Sequence, residues 1–135
     1  MKGNKDYNAL RKKFEKAQKD FAKEAKDVLS KEVKDLFIRY PECNTLGLHA
    51  YTDYFNDGDT CYYGVRSDPD SILVNGNYSY DREENEEWIE KVSDEFSELV
   101  QAIPEELFKT AFGDHIEITF NKNGKVQIDE YSDHD

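Results

Sequence analysis

The sequence predicts an α+β domain: a long N-terminal helix, then an antiparallel sheet of four or five strands with helices packed on one face. Three observations predict it. Apolar residues step by three or four through the first forty positions, and two segments alternate apolar and polar residues around Asp-Gly and Asn-Gly turns. Strands and helices nowhere alternate as they do in parallel-sheet folds. At 135 residues, the chain fits one domain that buries a core without disulfide or metal staples. We divide that domain into a basic amphipathic helix, residues 1–40, and an acidic body, residues 41–135.

Residues 4–38 carry the helical pattern. Tyr7, Leu10, Phe14, Ala17, Phe21, Ala25 and Val28 form one stripe, which Leu29, Val33, Leu36 and Phe37 continue after a small phase shift. Asn4 suits the N-cap. Pro41 ends the helix, because it bars Tyr40 from the α region. The span is roughly 50 Å at 1.5 Å per residue, with a break or bend expected near Ser30. Two readings stand for the stripe: packing on the chain's own sheet, or self-association through a near-heptad seam.

Residues 45–55 and 60–66 form a first hairpin around "NDGD". Alternation opposes Thr52 with Tyr63 and Ala50 with Val65. One face then holds Leu46, Leu48, Ala50, Thr52, Tyr54, Cys61, Tyr63 and Val65, the core side. The other holds His49, Tyr51, Asp53 and Phe55 with Thr60, Tyr62, Gly64 and Arg66, pairing His49 with Arg66 and Tyr51 with Gly64.

Turns at "SDPDS" and "NGN" bracket a short strand at 72–74. Asp81 with Glu84 gives an N-cap signature for a helix whose apolar side is Trp88, Ile89, Val92, Phe96, Leu99, Val100 and Ile103. Pro104 opens a second short helix, and Gly113 closes it. In "HIEITFNKNGKVQIDEY" a two-residue turn would mix the faces. A three-residue loop with Gly124 in the left-handed region opposes Phe120 with Val126 and Ile118 with Ile128, so the hydrophobic pattern selects it.

Charge is uneven. Residues 1–40 carry twelve Lys/Arg against seven Asp/Glu, a net +5; residues 41–135 carry six against twenty-three, a net −17. An acidic body of that size repels nucleic acid and anionic membrane. The opening residues lack the apolar stretch of a signal peptide, and no apolar run reaches the ~20 residues of a membrane span. Cys43 and Cys61 form no CxxC and read as small buried hydrophobes. We expect a cytoplasmic location.

No motif specifies a reaction, so no catalytic residue, cofactor or metal site is assigned. "DYFNDGD" brushes against a Ca²⁺ loop, but Phe55 and Gly64 occupy the third and twelfth positions, where acids are needed. His49, His115 and His134 lie near carboxylates without regular ligand spacing. Cys61 sits on the predicted core face, which does not favour a thiolate. The candidate binding site is the outer face of the first hairpin: His49, Tyr51, Asp53, Tyr62 and Arg66. Such a patch exceeds what solubility requires, unless the C-terminal strands or the first helix cover it.

Two strings, "YTDYFNDGDTC" and "FGDH…EYSDHD", resemble the motifs of a family of small uncharacterised proteins encoded chiefly by bacteriophages. Its pattern is YTxYFNDGDxC with a later FGDH and a C-terminal EYxxHD. Here Asp53 and Thr60 stand where the family has Pro, and Ser132 is substituted or extra. The likeness covers about a third of the chain and leaves out the N-terminal helix. It implies a phage-type accessory or counter-defence role, and a C-terminal "DHD" folded back on "YFNDGD". From residues and resemblance together we expect a non-enzymatic acidic protein that binds a host protein through the aromatic and acidic hairpin face. The alternative is a small-ligand or metal-binding module on the same Tyr/His/Asp/Arg face. The N-terminal helix offers a route to a homo-oligomer.

Overall fold

A computed structural model describes residues 2–52, 62–78, 81–82 and 86–131, with side chains from residue 6 onward. Asp53, Tyr54, Phe55, the Asn56–Asp59 turn, Thr60, Cys61, Glu84 and the 132–135 tail therefore lie outside the described residues. The fold is the predicted α+β arrangement: a long N-terminal helix, a five-stranded antiparallel sheet and two further helices.

Helix α1 runs Lys2–Arg39, about 57 Å at 1.5 Å per residue. Nothing between Asn4 and Arg39 interrupts it, since that stretch holds neither Gly nor Pro. The break expected near Ser30 does not occur. Tyr40 closes the last turn, its amide donating to the Leu36 carbonyl at 2.8 Å. The predicted continuous stripe, however, is two stripes on different faces. Residues 6–21 are exposed throughout, and contact with the body begins at Ala22, continuing through Leu29, Val33, Leu36 and Phe37. The phase shift read in the sequence is thus a change of facing: only the second stripe packs on the protein's own core.

Strand β1 (Thr45–Thr52) is the centre of the sheet. One edge pairs with β4 (Ile116–Asn121). The other is shared between β2 (Tyr63–Arg66), opposite His49–Thr52, and the two-residue β3 (Leu73–Val74), opposite Leu46 and Gly47. The close approach of the β4 backbone explains Gly47: a Cβ there would stand 3.0 Å from the Ile118 carbonyl oxygen, while the Leu73 side chain of β3, at 3.6 Å, is in ordinary contact. Strand β5 (Val126–Glu130) flanks β4. Both predicted registers hold: His49 opposes Arg66, Ala50 Val65 and Thr52 Tyr63 in the first hairpin, and Ile118 opposes Ile128 and Phe120 Val126 in the last. Gly124 has φ +93°, the positive value the three-residue loop requires.

Helices α2 (Glu87–Gln101) and α3 (Glu105–Phe112) pack with the second half of α1 over one face of the sheet. Leu46, Leu48, Ala50, Ile118 and Phe120 meet Leu36, Val92, Phe96, Val100 and Phe108 there, all 2% exposed or less. Phe96 meets Phe120 edge-on, with ring centroids 5.8 Å apart. Cys43 is fully buried in this core, and burial pushes its thiol up to about 11. The start of α2 corrects the sequence reading. Its N-cap is Glu86, with extended backbone, not Asp81. The residues between them are polar, so an earlier start would bury nothing. A helix draws its stability mainly from its packed apolar face, and that face begins at Trp88.

Both sheet edges are managed. On β2 the Glu105 carboxylate accepts the otherwise free Val65 amide at 2.9 Å. The outer strand β5 carries Asp129 and Glu130 and is exposed along most of its length, a charged edge that resists adding another strand.

Candidate functional site

With α1, α2 and α3 on the core face, the opposite face of the sheet carries His49, Tyr51, Tyr62, Arg66, Glu117 and Tyr131. Alternation sends each of these side chains away from the core. The sequence-predicted residues do not share one environment. Tyr62 is 73% exposed. Tyr51 and Arg66 are half-buried, the Arg66 guanidinium lying 4.4 Å from the Tyr51 ring centroid, a cation–π contact that fixes both. Asp53 falls outside the described residues.

His49 corrects the expectation of an open patch. It points outward, yet it is only 7% exposed. The Tyr131 ring stacks on the imidazole at 3.8 Å between centroids, 23° from parallel. The Tyr78 hydroxyl lies 2.8 Å from Nδ1, and the Glu117 carboxylate 3.5 Å from Nε2. The Tyr78 hydroxyl hydrogen-bonds one imidazole nitrogen, and the Glu117 carboxylate stands beside the other. The role this gives His49 is that of a post: it pins Tyr131 from the end of β5 and Tyr78 from the loop after β3 over the sheet. Around it, Tyr51, Arg66, Asp70, Ser71, Tyr78 and Tyr131 enclose a hollow of about 170 Å³.

The "FGDH" string supplies the second half of the site. Gly113 and His115 both take positive φ, +110° and +52°, and so turn the chain sharply between α3 and β4. That turn delivers the Asp114 carboxylate to the end of β1. It accepts the Thr52 amide at 2.8 Å, the Thr52 hydroxyl at 2.7 Å and the His115 amide at 2.8 Å. Burial alone would raise the Asp114 carboxyl, but the Thr52 and His115 hydrogen bonds outweigh it and hold the pKa below the usual carboxylate range. Lys109 approaches the same carboxylate at 3.9 Å. The Tyr63 hydroxyl donates to the Gly113 carbonyl at 3.1 Å, and burial pushes that phenol's pKa up.

Three strings far apart in the chain thus converge: "YT" of β1, "FGDH" before β4, and Tyr131, whose amide donates to the His115 carbonyl at 2.8 Å. The expected return of "DHD" onto "YFNDGD" concerns residues outside those described. Sequence reasoning did not select Thr52, Tyr78, Asp114, Glu117 or Tyr131. For Glu117 the signal was available, since it alternates with Ile116 and Ile118 and must share His49's face.

Among the described residues no cluster of three His, Cys, Asp or Glu side chains could hold a metal ion, and no helix is long and apolar enough to cross a membrane. Comparison with family models, curated proteins and solved structures gives no match.

Proposed function

We propose that this is a non-enzymatic binding protein whose outer sheet face docks on a basic surface of a protein partner. The observation that carries the reading is the character of that face. Helices α1, α2 and α3 leave it uncovered, Tyr131, Tyr78 and Tyr51 are fixed in place by His49 and Arg66, and Tyr62 projects fully beside them. Rigid aromatics with an Arg are the side chains that anchor protein interfaces. A body of net −17 steers toward a basic partner. Taken with the likeness to phage-encoded proteins, the partner is a host protein met in the cytoplasm.

Volume weighs against the small-ligand reading. The hollow of about 170 Å³ is below the ~300 Å³ at which ordinary ligand pockets begin. The test compares the wild-type protein with Tyr62→Ala and Arg66→Ala in host-lysate pull-downs, beside native mass spectrometry of the purified protein. A partner held by the wild type and released by both variants supports docking. A small-molecule or metal adduct lost in Arg66→Ala, with no protein captured, would support the ligand module instead.

A further inference from the structure

Along α1 from Tyr7 to Val28 an apolar stripe stays uncovered by the described residues of its own chain. Tyr7, Leu10, Phe14, Phe21 and Val28 are 59 to 67% exposed, while the face that meets the body runs through Ala22 and Leu29. One residue is about 100° around a helix, so no rotation of α1 buries both faces.

The stripe's spacing describes its occupant. Positions 7, 10, 14, 17 and 21 alternate steps of three and four, and between Leu10 and Phe21 every residue other than Phe14 and Ala17 is polar or charged. That is a narrow heptad seam that fits another helix, not the broad apolar face that suits a membrane surface. The seam also runs into a groove. Phe21, Ala25 and Val28 line a cavity of about 380 Å³ with Leu99, Ile103 and Leu107, and the carboxylate residues Glu24 and Glu32 line it too. Residues 1–20 carry seven Lys/Arg against three Asp/Glu, complementary to that acidic groove and body.

We propose that two copies of this chain clasp through α1 as an antiparallel pair. The Tyr7–Phe14 segment of each lies along Ala17–Glu24 of the other, its N-terminal end at the mouth of the groove that Phe21 and Glu24 line. Crossing near Phe14 and Ala17 sets Leu10 of one copy against Phe21 of the second. The contact is the same patch twice, as a two-fold dimer requires. Antiparallel order follows from charge: it holds the two −17 bodies at opposite ends, each against the other's basic segment, whereas parallel order would press them together. The five exposed side chains offer roughly 600 Å² per copy, and the groove residues bring this near the ~800 Å² per partner of a standard interface.

Light scattering and sedimentation on the full chain test this up to ~100 µM, where a dimer of micromolar Kd is largely associated. The expected mass is twice the 15.8 kDa of the chain. Added salt should weaken the dimer, and Phe14→Glu should give a monomer that melts like the wild type at low concentration, because Phe14 is 62% exposed. In a Cys61→Ser background, mixing Leu10→Cys with Phe21→Cys chains should give the mixed disulfide in preference to either symmetric one. A monomeric wild type overturns the proposal, as does a dimer that survives Phe14→Glu. A predominantly symmetric Leu10→Cys disulfide overturns the antiparallel clasp. A monomer that binds anionic vesicles through Phe14 replaces it with a membrane-surface helix.

Discussion

Replacing Asp114 with Ala removes an acceptor from three donors at once. The Thr52 amide, the Thr52 hydroxyl and the His115 amide all end on its carboxylate, between 2.7 and 2.8 Å. Hydrogen bonds to a charged group each contribute about 1.5–3 kcal/mol. The Asp114 side chain is 26% exposed, so water takes over part of that role in the variant. We expect a loss of about 3 kcal/mol, and a fall in Tm of roughly 10 °C on the scaling for a domain of this size. Asp114→Asn separates charge from geometry. Oδ1 accepts both amides, an arrangement Asn keeps, and its amide nitrogen can donate to the Thr52 hydroxyl. That variant should lose only about 1 kcal/mol. The pH dependence then follows. The folded carboxyl titrates below its unfolded value, so its stabilisation is complete above about pH 5 and is lost as pH falls through the folded pKa. Asp114→Asn should therefore flatten the acid limb of a Tm-against-pH curve while changing the neutral value little. The assay is thermal melting by circular dichroism of wild type, Asn and Ala from pH 2.5 to 8. If Asp114→Ala melts within 1–2 °C of wild type at pH 7, or if Asn and Ala are equal, the carboxylate does not hold these strands together.

Gly124→Ala should destabilise by about 1–2 kcal/mol in urea unfolding, through backbone strain alone, since φ is +93° and an added Cβ meets nothing within 4 Å. Tyr62→Ala should cost less than ~1 kcal/mol because the side chain is 73% exposed. Tyr63→Ala, on the opposite face and bonded to Gly113, should cost about 3 kcal/mol; similar melts for the two would mean the outer face is covered. Diethylpyrocarbonate should leave His49, 7% exposed, unmodified in the wild-type protein and label it in Tyr131→Ala, read by peptide mass spectrometry. Equal labelling would mean that Tyr131 does not cover the imidazole.

The hairpin registers were legible because two local signals agreed. Gly124 and the alternation of Ile118, Phe120, Val126 and Ile128 admit one pairing, and the Leu46–Ala50 alternation fixes which side of β1 is buried. The first helix was legible as a helix but not in its facing. Periodicity marks an apolar stripe, and it does not say whether the chain's own body or something else covers it; here a one-residue offset between Phe21 and Ala22 decides that. The Asp81–Glu84 cap signature lost to packing, since no apolar side chain precedes Trp88. At the site, Tyr51, Tyr62 and Arg66 could be placed outward from alternation. That His49 would be roofed by Tyr131 could not, because 82 residues separate them and no local rule carries a C-terminal tyrosine onto the first strand.

The placement of β1 has a kinetic consequence. Its partners on one edge, β2 and β3, arrive within about thirty residues of its start, but β4 follows some seventy residues later. Pairing across that distance closes a long loop, and such contacts slow folding. During synthesis the chain therefore passes through a stage in which the first hairpin and the helices exist while β1 keeps one edge bare. Leu46, Leu48 and Ala50 line that strand, and an unpaired apolar edge is a template for aggregation. The stretch Ile116–Asn121 is the closing piece, and variants that delay its docking should lower soluble yield more than they lower the Tm of the molecules that do fold.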